Sequence, residues 1–136
     1  MVLPKHLSVG RSNIHGVGLF TKKAFRKGDI CFVGARQTKY IEDPTVPIGH
    51  IGQHAIIPEI HCPQVGKDTF HVYSFDSFMN HADDPNTKVV YLDELSYHHI
   101  ALKDLVEGEE LTVSYDDVYS TEYPDEIIQK GISSPL

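Results

Sequence analysis

Turn residues recur every few positions along this chain, and no long amphipathic helical pattern fits between them. The apolar runs left between turns are short, which predicts strands over residues 7–11, 18–21, 30–35, 70–75, 87–92, 97–102 and 111–115. Lys27-Gly28-Asp29 and Glu107-Gly108-Glu109 read as tight turns ahead of two of these strands. Asp93-Glu94-Leu95-Ser96 reads as the bend of a hairpin. Only residues 125–130 look helical. The fold class that follows is mainly β, in several small sheets.

Residues 42–68 have another texture. Pro44, Pro47, Pro58 and Pro63 alternate with Gly49, Gly52 and Gly66, a density that interrupts helix and ladder bonding alike. An irregular insertion is expected, with a short helical turn near 54–57. Ile48, Ile51, Ile56, Ile57 and Ile60 predict that it packs down rather than forming a linker.

Composition narrows the function classes. The 136 residues fall in the size range of one domain, so 1–136 reads as a single unit with a core of its own. Twelve basic against nineteen acidic residues give a net charge of -7, unlike the basic face of a nucleic-acid binder. Such a surface attracts a basic peptide instead. The two cysteines, Cys31 and Cys62, have no C-x-x-C spacing, which argues against a disulfide framework or zinc cluster. Cys31 sits in an apolar run and reads as a buried, inert thiol. His98-His99 would point to opposite faces of a strand, so no metal site is expected. Met1 to His6 lacks the apolar stretch of a signal peptide, and no run approaches a membrane span. An intracellular, soluble protein is the expectation.

Three segments carry the candidate chemistry. In His15-Gly16-Val17-Gly18-Leu19-Phe20, the glycine pair lets backbone approach a ligand, although for this segment taken alone an ordinary tight turn is the better explanation. Asn80-His81-Ala82-Asp83-Asp84-Pro85-Asn86 places donors and acceptors beside Phe78 and Met79; backbone capping and acid–base work both suit these residues. Gly108 through Tyr115 ends on a tyrosine followed by acidic residues, suited to a packed phenol or to a site.

Taken in order, the three resemble the signature of SET-domain protein-lysine methyltransferases: G-x-G with an apolar pair, then N-H-S-x-x-P-N, then G-E-E-L/I-T-x-x-Y. The likeness spans residues 7–117. It implies a β-clip type fold of small sheets, with short helices and a knot-like crossing of the last two motifs. It also implies S-adenosylmethionine as cofactor and a lysine-bearing protein, such as a histone tail, as substrate. His15, Gly16, Val17 and Gly18 would hold the methionine part of the cofactor, and Asn80 and His81 the rest. Tyr115 would be the catalytic tyrosine at the inner end of a lysine channel.

Departures from the signature matter. Ala82 replaces the usual serine, Asp83 a frequent cysteine, and no cysteine cluster follows Tyr115. Tyr40, Tyr119 and Tyr123 are the candidates for the channel walls, with the tail 118–136 closing the site. The resemblance also admits a homodimer whose second subunit completes the site. The alternative reading is a non-catalytic SET-fold module that binds a basic segment.

Overall fold

The computed structural model describes residues 3–115. Strands β1 (Leu7–Arg11) and β2 (Val17–Thr21) form an antiparallel hairpin, with Leu7 opposite Thr21 and Arg11 opposite Val17. Next come β3 (Ile30–Ala35), β4 (Gln37–Tyr40) and the small hairpin of β5 (Gly49–Ile51) with β6 (His54–Ile56). One helical turn, α1 (Pro58–His61), leads into β7 (Gln64–Gly66) and β8 (Thr69–Val72). A 3-10 turn (Phe75–Phe78) precedes β9 (Asn80–His81), β10 (Thr87–Tyr91), β11 (Ser96–Ala101) and β12 (Glu110–Val113). Among the described residues the strands form four small sheets, ordered β1-β2-β12-β9, β10-β11-β3, β4-β8-β7 and β5-β6.

Alternation decides which faces turn inward. In β11 the side chains of Tyr97, His99 and Ala101 are buried while Ser96, His98 and Ile100 stay partly open. Gly34 lies opposite Tyr97, and a Cβ there would run into the Tyr97 ring, so a glycine lets the phenol lie flat across β3. Gly28 and Gly108 hold φ at +93° and +94° in the two predicted turns. The main core collects Leu7, Leu19, Phe32, Phe70, Phe78 and Leu111, among others. Each such side chain contributes on the order of 1.5–3 kcal/mol by leaving water.

The element that positions the site is β12. It pairs antiparallel with β2 on one side and parallel with β9 on the other, Thr112 facing Asn80 and Val113 facing His81. The chain between the two strands leaves for the β10–β11 hairpin and returns. It is clamped as it leaves, because Asn86 imitates a strand neighbour. The Asn86 Nδ2 donates to the Glu110 carbonyl at 2.8 Å and its Oδ1 accepts from Thr112 N at 2.8 Å. The Thr87 hydroxyl adds a bond to the Thr112 carbonyl at 2.7 Å. The segment from Asn80 to Thr87 thus crosses β12 and is tied to it at both ends.

Several local expectations shift. The helical turn expected near 54–57 falls at Pro58–His61, where proline suits the first turn because it has no N–H to satisfy; residues 54–56 are strand instead. The strand expected over 70–75 stops at Val72, and Phe75 begins the 3-10 turn. In the insertion Ile51 and Ile56 are buried, but Ile48 and Ile60 are exposed.

Candidate functional site

The first glycine segment folds on Ser12. Its amide donates to the Gly16 carbonyl at 2.8 Å, while its hydroxyl accepts from the amides of Ile14 and His15 and donates to the Glu110 carboxylate at 2.6 Å. Gly16 has φ of +46°, a left-handed conformation that strains other residues. Gly18 serves differently. A Cβ there would collide with the Glu110 carboxylate, so the second glycine lets β2 and β12 close around that charge.

Asn80 joins this turn to the crossing. Its Nδ2 lies 3.0 Å from the carbonyls of both His15 and Val17, 3.1 Å from Ser12 Oγ and 2.8 Å from Glu110 Oε2. An amide nitrogen has two protons, so the four acceptors share them. Replacing Asn80 with alanine leaves those half-buried acceptors short of a donor and should cost about 1–2 kcal/mol. Urea unfolding measures it; a loss below roughly 0.5 kcal/mol would show the hub to be dispensable.

His81 and Tyr115 meet across the β9–β12 pair. His81 Nδ1 accepts the Tyr115 amide at 3.1 Å and Nε2 lies 2.9 Å from Asp83 Oδ1, which fits a neutral ring protonated on Nε2. The rings stand 5.2 Å apart between centroids. The Tyr115 hydroxyl donates to the Met79 carbonyl at 2.9 Å. Burial raises the phenol pKa above its ordinary 10, the His81 contact opposes that, and Glu110 adds to it. Tyr115 is therefore a neutral phenol near pH 7, able to orient a partner but not to serve as a ready base.

These residues line one cleft of about 590 Å³, within the range of small-molecule sites. His15, Gly16, Val17, Asn80, His81 and Tyr115 all face it. Gly18 is buried behind it. Tyr40 is 71% exposed at the end of β4 and is not among the lining residues. Tyr119 and Tyr123 lie outside the described residues. Four lining residues were not among the sequence candidates: Ile14 beside the glycine turn, Ser77 in the 3-10 turn, and Ile60 and His61, which reach the cleft from the insertion. Both cysteines are buried, with thiols pushed up to about 11 chiefly by that burial, so neither is a nucleophile at neutral pH.

A second space opens off the first. His61, Ser77, Met79 and Tyr115 line both the cleft and a chamber of about 20 Å³. Tyr73, Asp76, His99 and Val113 line the chamber but not the cleft. No pattern in the sequence announced this. The only hint was polar character on the inward register of β11.

A mainly β chain with a glycine turn, a crossing at Asn80-His81 and a tyrosine closing one cleft defines the class. The SET-domain family model matches residues 16–116, and the chain belongs to the SET-domain family, a family of protein methyltransferases. Comparison with curated proteins returns no match. Among solved structures the chain is similar to a Plasmodium falciparum protein provisionally described as a histone methyltransferase. That match has a TM-score of 0.56 and 18% identity, covering 83% of this chain and 95% of that one. Likeness at that identity speaks for the fold.

Proposed function

We propose that this protein transfers a methyl group from S-adenosylmethionine to the side-chain amine of a lysine in a protein substrate. The observation that carries the reading is the convergence of the Gly16 turn, Asn80-His81 and Tyr115 on one cleft. The cleft suits the cofactor by size and by chemistry. Apolar Val17, Phe78 and Met79 offer walls for the cofactor's ring and methylene groups, beside the polar backbone of the turn and Asn80. His15, Gly16 and Val17 would hold the methionine portion, with Gly18 supporting the turn through its fit against Glu110, and Asn80 and His81 the remainder.

When bound, the cofactor supplies a methyl on a positively charged sulfur, already electrophilic. The protein is left with positioning: presenting a neutral amine in line and excluding water. Tyr115 donates its proton to the Met79 carbonyl, so its oxygen is turned out as an acceptor. That polarity fits an amine N–H. The net charge of -7 favours a basic substrate segment such as a histone tail.

Calorimetric titration with S-adenosylmethionine and S-adenosylhomocysteine, followed by transfer of labelled methyl to lysine-rich peptides, tests the reading. Binding of both compounds and labelling of lysine are the expected results. A folded protein that binds neither would instead be a SET-fold module holding a basic segment without catalysis.

A further inference from the structure

The chamber beyond Tyr115 has a composition that positioning alone does not explain. His99 is 2% exposed, and its Nδ1 has no hydrogen-bond partner among the described residues. The Ser77 hydroxyl is shielded from solvent and equally without a partner there. Asp76 keeps some of its surface at solvent, yet its carboxylate is enclosed, accepting from the Tyr97 hydroxyl and from Ser74 N at 3.2 Å. Two orphan polar atoms and a carboxylate around about 20 Å³ make room for one water or one ammonium head. The lining offers acceptors and ring faces, which attract a cation.

We infer that Asp76 is the proton acceptor for the substrate ammonium, reached through one water held in the chamber by Ser77 and His99. The inference rests on the lysine methyltransferase reading. A lysine is protonated near pH 7 and cannot attack until it loses a proton. The ammonium gives that proton through the water to the Asp76 carboxylate, leaving a neutral amine and a carboxylic acid. The amine lone pair then forms the bond to the methyl carbon as the carbon–sulfur bond breaks, its electrons staying on sulfur. The methylated ammonium keeps its two protons, and Asp76 returns the other to solvent after release.

The surroundings suit a base near neutrality. Burial raises the Asp76 pKa to about 6 against the hydrogen bond from Tyr97, which lowers it. The titratable groups packed around it are Tyr97 and His99 from β11, His61 and Cys62 at α1, Tyr73 after β8, and Tyr115. Arg36 stands one layer out, its guanidinium bonded to the hydroxyls of Tyr73 and Tyr91. Around pH 6 the tyrosines and Cys62 stay protonated and His99 stays neutral. Besides Asp76, that leaves His61, whose pKa burial holds below 6.5.

The pH profile of turnover separates these two. Wild type should rise through an acid limb near pH 6 and then level off. Asp76→Asn should lose about 10²-fold at pH 7 and regain activity about tenfold per pH unit, as bulk solution delivers the neutral amine. Tyr97→Phe guards against a misfolded Asp76 variant. It removes the bond that lowers the Asp76 pKa, so its limb should move to higher pH. A limb set by His61 would stay. Independently of turnover, a lysine peptide titrated at pH 6 in two buffers with S-adenosylhomocysteine present should release protons from wild type and none from Asp76→Asn. Transfer by wild type with the same limb in both variants, and equal proton release, overturns the role of Asp76 alone. No transfer by wild type at any pH fails the methyltransferase reading, and the inference with it.

Discussion

Tyr115→Phe should lower turnover by about 10²-fold or more while leaving affinity for S-adenosylhomocysteine within about twofold. The substitution keeps the ring, and with it the contact to His81 and the packing against the core. What disappears is one oxygen, held in place by its bond to the Met79 carbonyl. A bond of that kind contributes only about 1 kcal/mol to folding, so the variant should stay folded. In the proposed reaction the same oxygen would be worth more, because it is aimed before the substrate arrives and needs no reorganisation. The loss belongs in kcat rather than in KM, since the contact matters most when the amine is aligned. Measured side by side, single-turnover rate and calorimetric affinity separate the two effects. Turnover equal to wild type would show that Tyr115 does not face the reacting amine.

Much of the fold was legible because it depends on local chemistry. Gly28 and Gly108 sit where turns were predicted and adopt the positive φ that favours glycine. The strand over 30–35 and the hairpin around residues 93–96 follow from apolar runs bounded by turn residues. The boundary errors are equally physical. Val113 ends β12, two residues before the apolar-aromatic pattern stops, because Tyr115 turns its amide to His81 instead of to a neighbouring strand.

The parts that stayed hidden are those made by contact between distant residues. β9 is two residues long and has no periodicity to detect; it exists because β12 arrives beside it in parallel register. The motif residues could be read as a set only through their resemblance to a family. Their convergence is a product of the crossing, with Asn80 bonding to a turn more than 60 residues earlier. The chamber was less visible still. His98-His99 was correctly read as a pair split across two faces, but nothing local said which ring turns inward. Pairing with β3 decides it, as His99 stacks on Phe32 with ring centroids 4.4 Å apart. Nothing local to Asp76 announces that the Tyr97 hydroxyl, 21 residues further on, donates to it.

The two buried groups of that chamber should leave opposite marks on stability as pH changes, and Asp76→Asn should expose one of them. Burial lowers the His99 pKa from 6.5 to about 3, so the folded protein keeps the ring neutral while the unfolded chain protonates below 6.5. The unfolded state then binds more protons, and this contribution to stability is lost as pH falls from 6.5 toward 3. Asp76 runs the other way. Its folded pKa of about 6 lies above the ordinary 3.8, so the folded state holds the extra proton between those values and gains stability as pH falls. Between pH 6 and 4 the two slopes nearly cancel, each about 1.4 kcal/mol per pH unit. Wild type should therefore lose under about 1 kcal/mol from this pair between pH 7 and 4.5. Asp76→Asn leaves His99 uncompensated and should lose on the order of 2–3 kcal/mol over the same interval. His99→Phe leaves Asp76 alone and should gain about 2 kcal/mol on acidification. Urea unfolding of the three proteins at both pH values reads the signs directly. Parallel changes in all three would mean that neither group is held as enclosed as the chamber places it, and the inner end of the site would then be open to water.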